Sequence, residues 1–150
     1  MVIRELGPGD LQELLGLYRD LHAEDAPPPT FAELTALWAS IVSDPRLVYL
    51  GAFESGELLA ACNAAVVPNL TRGARPYALI ENVVTKAAAR RRGLGAAVLR
   101  ALLERCWAAG CYKVMLMSAA SRPEAHRFYE SVGFDGQSKH AFVMQRPENY

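Results

Sequence analysis

The sequence predicts one α/β domain spanning residues 1–150, and three observations carry that prediction. A chain of 150 residues that is 51% hydrophobic can bury one adequate core. Its apolar residues recur at helical spacing in the first third and at strand-like spacing in the middle. From Tyr77 onward a strand, a basic turn with two glycines, a helix and a second strand follow in order, which sets two strands parallel in one sheet. No repeat, low-complexity tract or interdomain linker interrupts this pattern.

Val2 to Leu6 reads as a short strand, followed by the turn Gly7-Pro8-Gly9-Asp10, whose Asp10 is placed to cap the next helix. That helix carries Leu11, Leu14, Leu15, Tyr18 and Leu21 on one face as far as His22. Asp25-Ala26-Pro27-Pro28-Pro29 must be a loop, because three prolines cannot continue a helix. Thr30 caps a second helix carrying Leu34, Leu37, Trp38 and Ile41, which ends before Asp44-Pro45. Leu47 to Phe53 and Leu58 to Val67 are strands joined at Ser55-Gly56, a hairpin signal. After a loop from Pro68 to Pro76 come a strand from Tyr77 to Thr85, a helix from Leu94 to Ala109 closed by Gly110, and a strand from Val114 to Ser118. Pro123 opens a last helix with Phe128 and Val132, stopped by Gly133, and Phe134–Asp135 and His140–Gln145 are expected to finish the sheet.

The turn between Thr85 and Leu94 is suited to phosphate. The first N–H groups of a helix lack intrahelical acceptors and carry partial positive charge. Gly93 and Gly95 let a ligand approach the peptide units, and Arg90, Arg91 and Arg92 add charge and paired donors. A P-loop is excluded because Ala96-Ala97, not Lys-Ser/Thr, follows Gly95. A dinucleotide fingerprint is excluded by Val98, where a third small residue is required. Taken alone, the turn is also compatible with a solvated surface segment whose glycines merely start a helix.

Sixteen basic residues balance sixteen acidic ones, so the cationic turn is local and the chain lacks the basic character of a nucleic-acid-binding protein. Cys62, Cys106 and Cys111 are odd in number and have no metal-type spacing; they read as reduced thiols of a cytoplasmic protein without a bound metal. No secretory core or membrane-length apolar run is present, and the sequon Asn69-Leu70-Thr71 is read as coincidental.

Two segments together resemble the GCN5-related N-acetyltransferase (GNAT) family. Arg90-Arg91-Arg92-Gly93-Leu94-Gly95 is similar to its Gln/Arg-x-x-Gly-x-Gly/Ala signature, and Ala125-His126-Arg127-Phe128-Tyr129-Glu130-Ser131-Val132-Gly133-Phe134 looks like its Ala-x-x-Phe-Tyr-x-x-x-Gly-Phe segment. The order of elements also matches from about Val2 to Met144. The resemblance implies a mixed, mostly antiparallel sheet flanked by helices, α/β or α+β by scheme, in which the parallel strands ending at Thr85 and Ser118 splay apart. It also implies acetyl-CoA as co-substrate, its pantetheine arm on the backbone of Val83, Val84 and Thr85 and its pyrophosphate on the amides from Arg91 through Gly93, Leu94 and Gly95 to Ala96. Arg90, Arg92 and Phe128 complete the expected cofactor set. Arg122 stands where many relatives have a cofactor-contacting Asn, so it either reaches a phosphate or lies on the surface.

The implied reaction is acetyl transfer to an amine by direct attack. An amine attacks only when neutral and the departing thiolate needs a proton, so a base and an acid are required. Tyr129 occupies the position of the family's general-acid tyrosine. Glu81, a carboxylate amid apolar neighbours on its strand, is the base, a structural partner of an arginine, or a residue at an exposed sheet edge, and simple alternation puts it with Val83 and Thr85 on one side and Asn82 and Val84 on the other. The acceptor is left as a small-molecule or peptide amine, framed by the loops His22–Pro29, acidic at Glu24 and Asp25, and Pro68–Pro76, basic at Arg72 and Arg75. An acyl-CoA-binding regulatory module is the competing class; it would need neither Tyr129 nor Glu81. Neither membrane nor nucleic acid is an expected partner, and a homodimer is left open.

Overall fold

A computed structural model describes residues 1–21 and 26–147, so the expected acidic loop around His22, Glu24 and Asp25 lies outside the described residues. The chain packs into two compact units, Met1–Leu116 and Met117–Tyr150, taken here in turn. The first unit holds a five-stranded sheet in sequential order, β1 (Val2–Glu5), β2 (Leu47–Glu54), β3 (Glu57–Val67), β4 (Tyr77–Thr85) and β5 (Val114–Leu116). All neighbours are antiparallel except β4 and β5, the expected parallel pair. Its helices are α1 (Leu11–Tyr18), α2 (Phe31–Ser43) and α3 (Leu94–Ala108). No helix among the described residues is long and apolar enough to cross a membrane.

Local chemistry forms most of these elements where it was expected to, although α1, expected to run as far as His22, ends at Tyr18. Ser55 and Gly56 both have positive φ, 51° and 84°, the requirement of a two-residue hairpin turn whose twist matches its strands. Thr30 caps α2 by accepting from Glu33 N, and the Glu33 carboxylate accepts in return from Thr30 N at 2.8 Å. Asp10 departs from expectation and does not cap α1. Its carboxylate turns back to accept from Gly7 N at 2.7 Å and from both terminal nitrogens of Arg4 at 2.7 and 2.8 Å, because the Pro8–Asp10 turn brings it beneath β1.

The hydrogen bond from Arg4, and secondarily that from Gly7, hold the Asp10 carboxyl below the usual carboxylate range. A depressed native pKa contributes stability that is complete above the unfolded value of about 3.9 and is lost as pH falls through the native one. Asp10→Asn is therefore expected to flatten the acid limb of a plot of urea midpoint against pH below about pH 4 and to lower the neutral plateau slightly, since much of the pair is solvent-screened.

Two layers cover the sheet. Leu11, Leu14 and Leu17 of α1 and Trp38 of α2 pack with Leu6, Phe53, Leu58, Ala61 and Val84. The Trp38 ring meets Tyr49 edge-on at 5.1 Å and donates its Nε1–H to Gly7 O at 3.0 Å, pinning α2 to β2 and the first turn. The stripe Leu94, Val98, Leu99, Leu102 and Cys106 of α3 is fully buried, and α3 packs on β2, β3 and β4. This seats the start of α3 directly after the end of β4.

Three strand expectations are corrected. The strand expected to reach Ser118 ends at Leu116, because β4 pairs with it only from Ala78 to Ile80 and then changes course at Asn82. In the second unit, which contains α4 (Pro123–Val132), Phe134–Asp135 and His140–Gln145 form no strand. Phe142, Val143 and Met144 are exposed there. Alternation marks a segment that could pair, but a strand forms only where its N–H and C=O groups meet a ladder.

Candidate functional site

In the first unit the site begins with the free edge of β4. Its pairing with β5 stops at Ile80↔Leu116, so Glu81 to Thr85 run on with no strand paired on that side among the described residues of the unit. A thioester arm requires such a row of backbone donors and acceptors, and Val83, Val84 and Thr85 belong to it.

The strand does not alternate as its sequence suggests. Glu81 pairs with Asn63 and Val84 with Ala61, so three residues of β4 span two of β3. Ladder partners share a face, and Ala61 and Asn63 are two apart; Glu81 and Val84 therefore lie on the same face, with Val84 inside the α1/α2 core. Glu81 is exposed on that face. The extra residue is absorbed at Asn82, whose φ is +51°. Asn82 was not singled out from the sequence, although an Asn among strand residues is the one non-glycine signal that could have marked a left-handed bulge.

The arginine-glycine turn is braced from several sides. Lys86 N donates to Leu59 O at 2.8 Å, Ala87 N donates to Asp20 Oδ2 at 3.1 Å, and Arg90 Nε donates to Thr85 O at 3.3 Å. Arg92 is ion-paired with Glu54 at the hairpin. Of the three arginines, Arg91 has no side-chain partner among the described residues, so the cluster expected to act together divides into a brace, a tether and one open cation. Arg91 and Gly93 both take positive φ, 60° and 81°, which swings the chain into α3. The first backbone bond of that helix is donated by Ala97 to Gly93 O, so the amides of Leu94, Gly95 and Ala96 have no acceptor within the helix. The Leu94 side chain is buried, and only its backbone can serve a ligand. A Cβ built on Gly93 would meet nothing within 4 Å. The residues present therefore fit a pyrophosphate at an open, cationic helix start, continuous with the free edge of β4.

The thiols do not offer an acyl carrier. Cys62, Cys106 and Cys111 are buried and unpaired, and burial pushes Cys62 well up and Cys106 up to about 11. Thiols held protonated at neutral pH are poor nucleophiles.

The second unit carries the remaining residues. Phe128 and Tyr129 are half-buried near the end of α4, with ring centroids 5.2 Å apart, and Tyr129 also meets Phe134 at 6.2 Å. Gly133, at φ 114°, turns the chain so that Phe134 N donates to Tyr129 O at 3.1 Å, which locks the Tyr129 backbone. Arg122 is exposed at the start of α4, 3.9 Å from Glu124, with its guanidinium otherwise open among the described residues. The hydroxyl of Ser118, which the sequence did not mark, is buried and has no hydrogen-bond partner among the described residues.

Comparison with known proteins agrees with this geometry. The model of the acetyltransferase (GNAT) family matches residues 11–134. Glucosamine 6-phosphate N-acetyltransferase 1 of Oryza sativa subsp. japonica is 36% identical over 138 residues, covering 88% of this chain and 79% of that protein. The glucosamine 6-phosphate N-acetyltransferase of Trypanosoma brucei brucei is 34% identical over 140 residues, covering 88% and 87%. A solved structure from Agrobacterium tumefaciens str. C58, assigned as an acetyltransferase, superposes with a TM-score of 0.91 at 45% identity, covering 97% of this chain and all of that one. The chain belongs to the GNAT family of acetyltransferases, enzymes that draw their acetyl group from acetyl-CoA.

Proposed function

We propose that the protein, acting as one domain over residues 1–150 in the cytoplasm, acetylates a primary amine by direct attack on acetyl-CoA in a ternary complex. The observation that carries the reading is the continuity of the free β4 edge with the open amides of Leu94, Gly95 and Ala96. Pantetheine on Val83, Val84 and Thr85 and pyrophosphate on the turn hold the thioester beside β4. The amine nitrogen attacks the acetyl carbon, Glu81 receives its proton directly or through water, the carbon–sulfur bond breaks, and the Tyr129 hydroxyl protonates the leaving thiolate. The raised thiol pKa values support direct transfer over an acyl-cysteine route.

For the acceptor, an amino-sugar phosphate is the first candidate. Two relatives carry glucosamine 6-phosphate in their names. Arg72 and Arg75, on the loop leading into β4, have no acidic partner among the described residues and would suit an anionic group. The test follows free thiol release with acetyl-CoA and a panel of amino-sugar phosphates, unphosphorylated amino sugars, polyamines and peptides. Release with one class identifies the acceptor; tight acetyl-CoA binding without release from any amine would instead make the protein a regulatory module.

The base is tested separately. Glu81→Gln keeps the shape of the side chain but cannot accept the proton, and it is expected to lower kcat about tenfold, less than a fully enclosed base would lose, because water reaches the exposed position. An unchanged kcat would place the base elsewhere.

A further inference from the structure

We propose that Asn63 is a positioning residue for the cofactor-binding strand: its hydrogen bond to Asn82 holds the one-residue bulge that sets which groups of β4 face a bound acyl-CoA. The proposal rests on the acetyl-transfer reading above. Asn82 Nδ2 donates to Asn63 Oδ1 at 3.0 Å. Asn63 is the one polar side chain buried with the core among the described residues, at 9% exposure. A buried amide is retained only where a partner satisfies it, and the partner here is the residue in the left-handed conformation.

The consequences follow from the register. Between the pairs Asn63↔Glu81 and Ala61↔Val84, Asn82 and Val83 have no ladder partner on β3, and β5 has already ended at Leu116. The bulge thus lies just before Val84 and Thr85 and includes Val83, the three residues on which the pantetheine arm is read to bind. The same extra residue keeps Val84 in the core while leaving Glu81 exposed on the same face. In a strand without the bulge, strict alternation would separate Glu81 from Val84, and either the core contact or the orientation of the proposed base would be lost. A left-handed Asn is unfavourable relative to an extended one, so the bulge persists because something holds it. The side chain that does so comes from the neighbouring strand, which puts the geometry of β4 under the control of a residue buried in β3.

The test compares Asn63→Leu, which keeps the branched shape but removes the acceptor, with the same change made in an Asn82→Gly background. Glycine adopts the left-handed conformation without a Cβ penalty and has no need of the latch. In Asn63→Leu, kcat/KM for acetyl-CoA is expected to fall between about ten- and a hundredfold and CoA affinity to weaken, as for a small displacement of bound reactants. The NMR backbone shifts of Asn82 should leave left-handed values. In Asn63→Leu/Asn82→Gly most of the loss should be recovered. Wild-type kinetics together with unchanged Asn82 shifts in Asn63→Leu would overturn the proposal, as would an equal loss in both backgrounds. If Asn63→Leu fails to fold, Asn82→Ala is compared with Asn82→Gly; the latch requires alanine to lose more CoA affinity, and equal losses reject it. The two readings fail separately: a wild type that binds no CoA rejects acetyl transfer, while the Asn82 shifts still report whether Asn63 holds the bulge.

Discussion

Tyr129→Phe is expected to lower kcat by about a hundredfold or more, the range of a lost general acid, while leaving CoA affinity intact. The substitution removes only the hydroxyl. The ring keeps its packing against Phe128 and Phe134, and the backbone bond from Phe134 N does not depend on the side chain, so α4 should retain its end. A phenol hydroxyl is a proton donor able to serve a departing thiolate. Steady-state kinetics with calorimetry on CoA measures both halves of the expectation. A thioester whose thiol is more acidic needs less help in leaving, so the defect should shrink with such a donor. Unchanged kcat would remove Tyr129 from the chemistry.

The turn gives the second large effect. Gly93→Val is expected to weaken CoA binding up to about a hundredfold, because a β-branched residue at a φ of 81° costs about 1–3 kcal/mol or forces the turn to rearrange. No atom lies within 4 Å of the added Cβ, so the loss comes from backbone conformation and not from a clash. Gly93→Asn separates the two causes, since Asn tolerates the left-handed region; it should bind CoA more tightly than Gly93→Val. If valine binds as well as glycine, the pyrophosphate is not held by the start of α3. Arg91→Ala should weaken CoA binding more than Arg92→Ala does, since Arg92 is engaged by Glu54.

Much of the frame around the candidate site was readable without coordinates because its chemistry is local. The strand ending at Thr85, the turn and α3 follow from an apolar run, two glycines and an amphipathic stripe, and each acts within a few residues of itself. The hairpin at Ser55-Gly56 and the Thr30 cap of α2 are similar cases, in which the residue that makes the element is the residue that marks it. The three arginines are different. Arg92 finds its partner at Glu54, on the preceding hairpin, and no spacing rule within Arg90-Arg91-Arg92 distinguishes it from its neighbours. Asp10 likewise has the composition of a cap but answers to Arg4, because β1 runs back over the turn.

The residues alone determined the strand, turn and helix start from β4 to α3, and the paired motifs that set the family. They did so because propensity, periodicity and turn chemistry are properties of short segments. The tertiary structure decided what depends on a neighbour's backbone. It ended β5 at Leu116, left His140–Gln145 without a ladder, and moved Glu81 onto the face of Val84 through a bulge that pairing with β3 defines. A strand's register is a relation between two segments distant in sequence, and one extra residue on either reverses every side chain beyond it.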